Sequence, residues 1–216
     1  MQKRIWIFFS IIVLSPMHQV IAIDAETFFR SPSVKLAIVK STGNIKVSSK
    51  DQFDKVPFSS SSLVTPVLTL IQPPAYFLDE TRWGYHTEIS TTYFLLDYDE
   101  DDLRYRDGDF EGYSLSVTPV LFYQWGDKEL CSHCKSWRIE LGAGVNYLNS
   151  EGDLTAENGE KLRFGNTGFG FNSHLGVVVN FKKWELGLRM VVPTRVDDQN
   201  VKVRHALSSI GLGYRF

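Results

Sequence analysis

Beyond its first residues the chain has no apolar run near the roughly 20 residues that a membrane-spanning helix needs, which excludes a helical anchor in residues 23–216. Basic residues are not in excess either. Lys and Arg number 23 against 25 Asp and Glu, a net charge of -2, so nucleic acid is excluded as a partner. Cysteine is confined to Cys131 and Cys134. Neither sits just after the early apolar stretch, which removes the simplest route to a lipoprotein. No cofactor motif is present, and no cofactor or resident metal is expected.

The N-terminus does carry a pattern. Lys3 and Arg4 precede the apolar run Ile5 to Leu14, and Val20 and Ala22 are small residues at the spacing of a cleavage site. Residues 1–22 are therefore expected to be a signal peptide, and 23–216 the exported protein.

From Trp83 onward the chain alternates with a period of two. Trp83, Tyr85, Thr87, Ile89, Thr91, Tyr93 and Leu95 oppose Gly84, His86, Glu88, Ser90 and Thr92. The pattern returns with Tyr113 to Trp125, Trp137 to Tyr147, Phe169 to Phe181, Trp184 to Val192 and Ala206 to Phe216. Six strands are legible.

Soluble sandwiches alternate too, so the placing of the aromatics decides between solvents. They collect at the ends of the apolar stripes. Trp83, Tyr85, Tyr123, Trp125, Trp137, Trp184, Tyr214 and Phe216 fall at one end if strands run up and down; Tyr93, Tyr113 and Tyr147 fall at the other. Between them the stripe is mainly Leu, Val, Ile, Ala and Thr. That is the profile of a surface meeting hydrocarbon, with aromatic rings at the headgroups.

Backbone groups cannot be left unpaired in hydrocarbon, so such strands must close into a ring. The expected fold is all-β: a closed, antiparallel, up-and-down transmembrane barrel of eight strands. Val64 to Ile71 and Val34 to Val39 supply the remaining two, with a polar outer loop containing Ser59 to Ser62 between them. Alternatively, residues 23–60 lie partly outside the barrel. Lys182 and Lys183 make a short inner turn, residues 126–136 a medium one, and residues 97–111 and 149–167 long outer loops.

The closing residues Ile210-Gly-Leu-Gly-Tyr-Arg-Phe216 resemble the C-terminal signature of Gram-negative outer-membrane barrels, with Tyr214 and Phe216 at the matching positions. The plan of the chain resembles the small eight-stranded OmpA, OmpX and OmpW families. The resemblance implies an outer-membrane location, contact with outer-membrane lipid and lipopolysaccharide, and recognition of the last strand by the barrel-assembly machinery. It implies no particular activity.

The face opposite the apolar stripe holds Glu88, Glu140 and Glu185 with Arg138, Arg189 and Arg215, and also His86, His174 and His205. Charges enclosed by a low-dielectric wall must pair or keep water. An ion-pair network filling a narrow lumen is expected, with a gated path for ions or small solutes as the alternative. Eight strands leave little room for a general pore.

A lipid A hydrolase or acyltransferase is a further alternative, using Ser with His as its base. Ser208 and His205 face opposite ways on one strand, as do Ser173 and His174, while His86, Glu88 and Ser90 share the lumen face. No catalytic residue is assigned. Cys131 and Cys134 suit a disulfide or thiol pair in an oxidising compartment, since no βαβ pattern surrounds this CxxC. The acidic run from Asp97 to Glu111 departs from an EF-hand at Asp102 and Gly108. Such loops suit an envelope-structural or surface-interaction role.

Overall fold

In the computed structural model of the protein the described residues are 33–49, 52–59, 65–78, 80–98, 105–128, 135–197 and 201–215. The proposed signal peptide, Cys131, Cys134, Phe216 and most of Ser59 to Ser62 lie outside them. The strands are β1 (Ser33–Ser49), β2 (Gln52–Ser59), β3 (Thr65–Ile71), β4 (Ala75–Tyr76), β5 (Trp83–Tyr98), β6 (Tyr105–Gly126), β7 (Lys135–Ala156), β8 (Lys161–Phe181), β9 (Trp184–Asp197) and β10 (Val201–Arg215).

Neighbouring strands pair antiparallel from β5 through to β10. β10 then pairs with β1 from Ser33 opposite Arg215 to Val47 opposite Val201. On its other side β1 pairs with β3 in its first half and β2 in its second, and both pair with β5. β2 and β3 thus form one interrupted wall. The pairings run round a ring of eight walls, with β4 a short flap on β5.

Register aligns the aromatics into two rows on the outer surface. At the inner end, Trp83 faces Tyr123, Trp125 faces Trp137, and Phe181, Trp184 and Tyr214 follow on successive strands. Trp125 and Trp137 stack with centroids 3.9 Å apart. At the outer end Tyr93 faces Tyr113 and Tyr147 faces Phe169. On β5, β6 and β7 the rows are ten residues apart. Ten residues rise about 33 Å along a strand, or about 25 Å across a bilayer at a tilt near 40°. Exposed Leu121, Leu141, Val145, Leu175, Val177, Leu186, Leu188 and Leu212 fill the band between.

The outer half departs from the sequence expectation. Of residues 97–111 and 149–167, expected as loops, those described are largely strand, with β7 and β8 joined by a turn at residues 157–160. Likewise β1 continues past Val39 to Ser49 and returns directly as β2, where a polar loop was expected.

The reason is an inversion of the pattern. Above the outer aromatic row the apolar residues move to the inward face, where Val56, Phe58, Phe94, Leu96, Phe110, Leu148, Leu154 and Phe164 form one buried cluster. Phe110 lies at its centre, 5.5 Å from Phe94, 5.7 Å from Phe58 and 5.9 Å from Phe164 by ring centroid. Outside the bilayer the outward face meets water, so the strands revert to an apolar inside. We call this part the crown.

One wall joint is incomplete. The β8 to β9 ladder begins at Ser173 opposite Val192 and runs inward. The next residue of β9, Pro193, has no N–H to donate, and the β9 to β10 register shifts at the same height. Among the described residues, β8 outward of Ser173 is paired only with β7.

Candidate functional site in the lumen

Every second residue of these walls points inward, and the walls β1, β5, β7 and β9 carry the charges. Lys35 Nζ donates to Glu185 at 3.2 Å, and Arg138 donates to Glu185 at 2.8 Å and to Glu140 at 2.5 Å. Arg189 donates to Glu140 at 2.6 Å and to both oxygens of Glu88 at 2.5 and 2.6 Å. His86 Nε2 lies 3.0 Å from the Glu88 carboxylate. The result is one chain of alternating sign: Lys35, Glu185, Arg138, Glu140, Arg189, Glu88, ending on His86.

The charges balance, three cations against three carboxylates. This matters because Arg138, Glu140, Glu88 and Lys35 are each no more than 2 % exposed. A buried ion loses its water and is tolerable only with partners on its remaining hydrogen-bonding sites. Arg189 on β9 and Glu88 on β5 belong to opposite walls of the ring, so their fork crosses the lumen.

Small residues make these reaches possible. Glu140, Gly176 and Arg189 occupy one row on β7, β8 and β9, so Arg189 crosses Gly176 to reach Glu140. Lys35, Gly213 and Glu185 repeat the arrangement on β1, β10 and β9. A Cβ on Gly187 would stand 2.5 Å from Lys35 Nζ, and one on Gly142 would stand 2.3 Å from His174. Side chains at these points would occupy the path of the network.

Two further layers fill the interior. At the inner mouth, Tyr76 of β4 packs edge-on against Phe122 at 5.6 Å, and Phe122 lies under the Arg138 guanidinium at 5.4 Å. At the outer mouth stands the aromatic cluster of the crown. The ion-pair chain lies between them.

Of the residues singled out in the sequence, Glu88, Glu140, Glu185, Arg138 and Arg189 meet in this network. Arg215 has only its backbone described, paired with Ser33, and Lys35 is a member that sequence reasoning did not name. Its signal was present: Lys35 alternates with Val34, Leu36 and Ile38, as Glu140 alternates with Ile139 and Leu141 in β7. Of the three histidines, His86 joins the chain and His174 is buried beside it, its Nε2 without a protein partner among the described residues; the side chain of His205 is outside them.

Of the lumen-facing candidates for hydrolytic chemistry, Ser90 and His86 are each bonded to another residue. Ser90 Oγ lies 2.9 Å from Thr69 Oγ1, whereas the imidazole of His86 is held by Glu88. His86, Glu88 and Glu140 bring ligand atoms within 4.8 Å of one another, as a metal site would. Arg189 already neutralises both carboxylates, and a cation placed among them would face its guanidinium. The cluster does not fit a metal.

A closed ring of strands, an apolar outer band bounded by aromatic rows and a charge-paired interior define a transmembrane β-barrel of the outer-membrane type. No protein-family model matches the chain, and no curated protein matches it. Similar solved structures include Ail, the attachment invasion locus protein of Yersinia pestis, at 18 % identity over 86 % of this chain and 98 % of that one, with a TM-score of 0.41. Neisserial surface protein A is similar at 14 % identity over 86 % and 97 %, with a TM-score of 0.45, and the outer membrane enzyme PagL at 12 % over 82 % and 98 %, with a TM-score of 0.41. Likeness at this level transfers no activity.

Proposed function

We propose that this protein is a sealed outer-membrane barrel that works through its outer surface, in an envelope-structural or surface-interaction role, and neither conducts solutes nor catalyses a reaction. The observation that carries this reading is the Arg189 fork, which joins opposite walls through Glu88 and ties in Glu140. With the barrel closed at its middle, the crown is the part left to act.

The crown presents an acidic face. Asp97, Asp109 and Asp153 occupy one row across β5, β6 and β7, and Glu111 faces Glu151 in the row nearer the membrane. Directly opposed like charges weaken a sheet, so the buried aromatic cluster offsets this repulsion. Lipopolysaccharide surrounds the outer aromatic row in this reading, and β10, with Ile210, Leu212 and Tyr214 on its outer face, is the strand presented to the assembly machinery.

Single-channel recording in planar bilayers tests the proposal. The expected result is insertion, verified by heat-modifiable migration on gels, without steady current. A conductance of porin size would overturn it.

A further inference from the structure

At the inner end, Lys135, Phe181, Trp184 and Tyr214 occupy one row across β7, β8, β9 and β10, and the turn Lys182-Lys183 joins β8 to β9 just beyond it. The lysine ammonium groups lie over the aromatic rings of this row. Lys135 Nζ is 5.7 Å and Lys182 Nζ 5.3 Å from the Phe181 centroid, while Lys183 Nζ is 6.0 Å from that of Tyr214. All three lysines are exposed, and among the described residues none is paired with a carboxylate. The nearby acids are otherwise engaged: Glu185 is buried on Lys35 and Arg138, and Asp127 accepts the backbone N–H of Lys135 at 3.1 Å.

A second observation concerns the backbone. Lys182 has φ of 57°, the left-handed conformation that a two-residue hairpin turn ordinarily gives to Gly, Asn or Asp. Among the described residues it is the only non-glycine at positive φ. Lys182 thus carries its side chain at a backbone position where glycine is cheaper.

We infer that Lys135, Lys182 and Lys183 form a headgroup site for an anionic phospholipid of the inner leaflet. The inference rests on the membrane reading above. Three unpaired ammonium groups just below an aromatic row stand where lipid phosphates lie, and the exposed Val179, Leu186 and Leu212 continue upward where acyl chains run. The ring faces hold the flexible lysine stems toward the barrel, so less freedom is lost on binding. A zwitterionic lipid brings its own ammonium to this cluster and is repelled. A phosphatidylglycerol headgroup brings only the phosphate and hydroxyls, which accept and donate hydrogen bonds.

The test is native mass spectrometry of the refolded full chain in zwitterionic micelles with equal phosphatidylglycerol and phosphatidylcholine of matched acyl chains. Each lysine near a lipid surface contributes about fivefold in affinity. Wild type is expected to retain phosphatidylglycerol at least about fivefold over phosphatidylcholine. Lys182→Gly is the decisive variant: glycine takes the left-handed turn more readily, so the fold persists while the preference falls about fivefold. The triple variant Lys135→Gln, Lys182→Gly, Lys183→Gln loses it.

Equal retention in wild type, or a preference that survives in the triple variant, overturns the lipid site while the heat-modifiable gel shift leaves the membrane reading standing. Displacement of the lipid by inorganic phosphate also overturns it, since free phosphate would then be what the lysines recognise. Loss of the gel shift in wild type overturns both.

Discussion

Replacing Arg189 with methionine removes the cation shared by Glu88 and Glu140 and leaves a similar length of apolar side chain passing Gly176. The network then holds two cations for three carboxylates. Glu140 keeps Arg138, but Glu88 keeps only His86. Breaking one partner out of a buried pair costs about 3–5 kcal/mol, because the remaining charge is left desolvated. Arg189 serves two carboxylates, which places the cost at the upper end, about 5 kcal/mol.

The assay is reversible guanidinium unfolding of the protein in phospholipid vesicles, followed by tryptophan fluorescence from the inner row. A double-mutant cycle sharpens it. Glu88→Gln in the Arg189→Met background restores neutrality, so the double variant should be more stable than Arg189→Met alone, with a coupling energy of about 2 kcal/mol or more. Additive effects, or a cost below about 1 kcal/mol for Arg189→Met, would refute the claim that this network is a desolvated, charge-balanced unit.

Three further outcomes follow from other layers of the molecule. Phe110→Ala removes the ring at the centre of the crown cluster and should cost about 3–5 kcal/mol of local stability, seen as faster amide exchange in the outer parts of β6 and β7 with the gel shift retained. Unchanged exchange there would mean that the crown has no cooperative core. Gly142→Val should displace His174, against which its added atoms would clash, and lower stability by about 1–3 kcal/mol in the same unfolding assay. A neutral effect would place the His174 ring elsewhere.

Partial desolvation by its neighbours, then the carboxylates of Asp107, Asp153, Asp97 and Glu111, holds the exposed Asp109 carboxyl above the ordinary aspartate value of 3.8. A raised carboxyl binds its proton more tightly folded than unfolded. The crown therefore gains stability as pH falls into the range just above 3.8 and loses it as pH rises through the folded value. Carbon-13 titration of Asp109 by NMR reads this directly, and Asp153→Asn should lower the value. A midpoint at or below the ordinary one contradicts the row of opposed acids.

The membrane band was legible in the sequence because its two signals are local. Alternation from Trp83 to Leu95 needs only the pleat, and aromatics at the ends of each stripe need only the thickness of the bilayer. The crown was hidden by a change of sense rather than a lack of pattern. Phe94, Leu96, Phe110, Leu148, Leu154 and Phe164 keep the period of two but on the opposite face, so a reader following the outward stripe meets polar residues and takes the strands to have ended. The inversion marks where hydrocarbon gives way to water.

By itself, then, the sequence determined the lipid-facing stripe, where the aromatic rows stand and, Lys35 apart, the charges of the inward network, because each follows from a residue and its neighbours two places away. Only the tertiary structure decided which charges meet. Arg189 reaches Glu88 on the opposite wall because ring closure and strand tilt bring them level, and Lys35 reaches Glu185 because Gly213 lies between them in the row. Register across a closed sheet is a non-local quantity, set by all eight walls together.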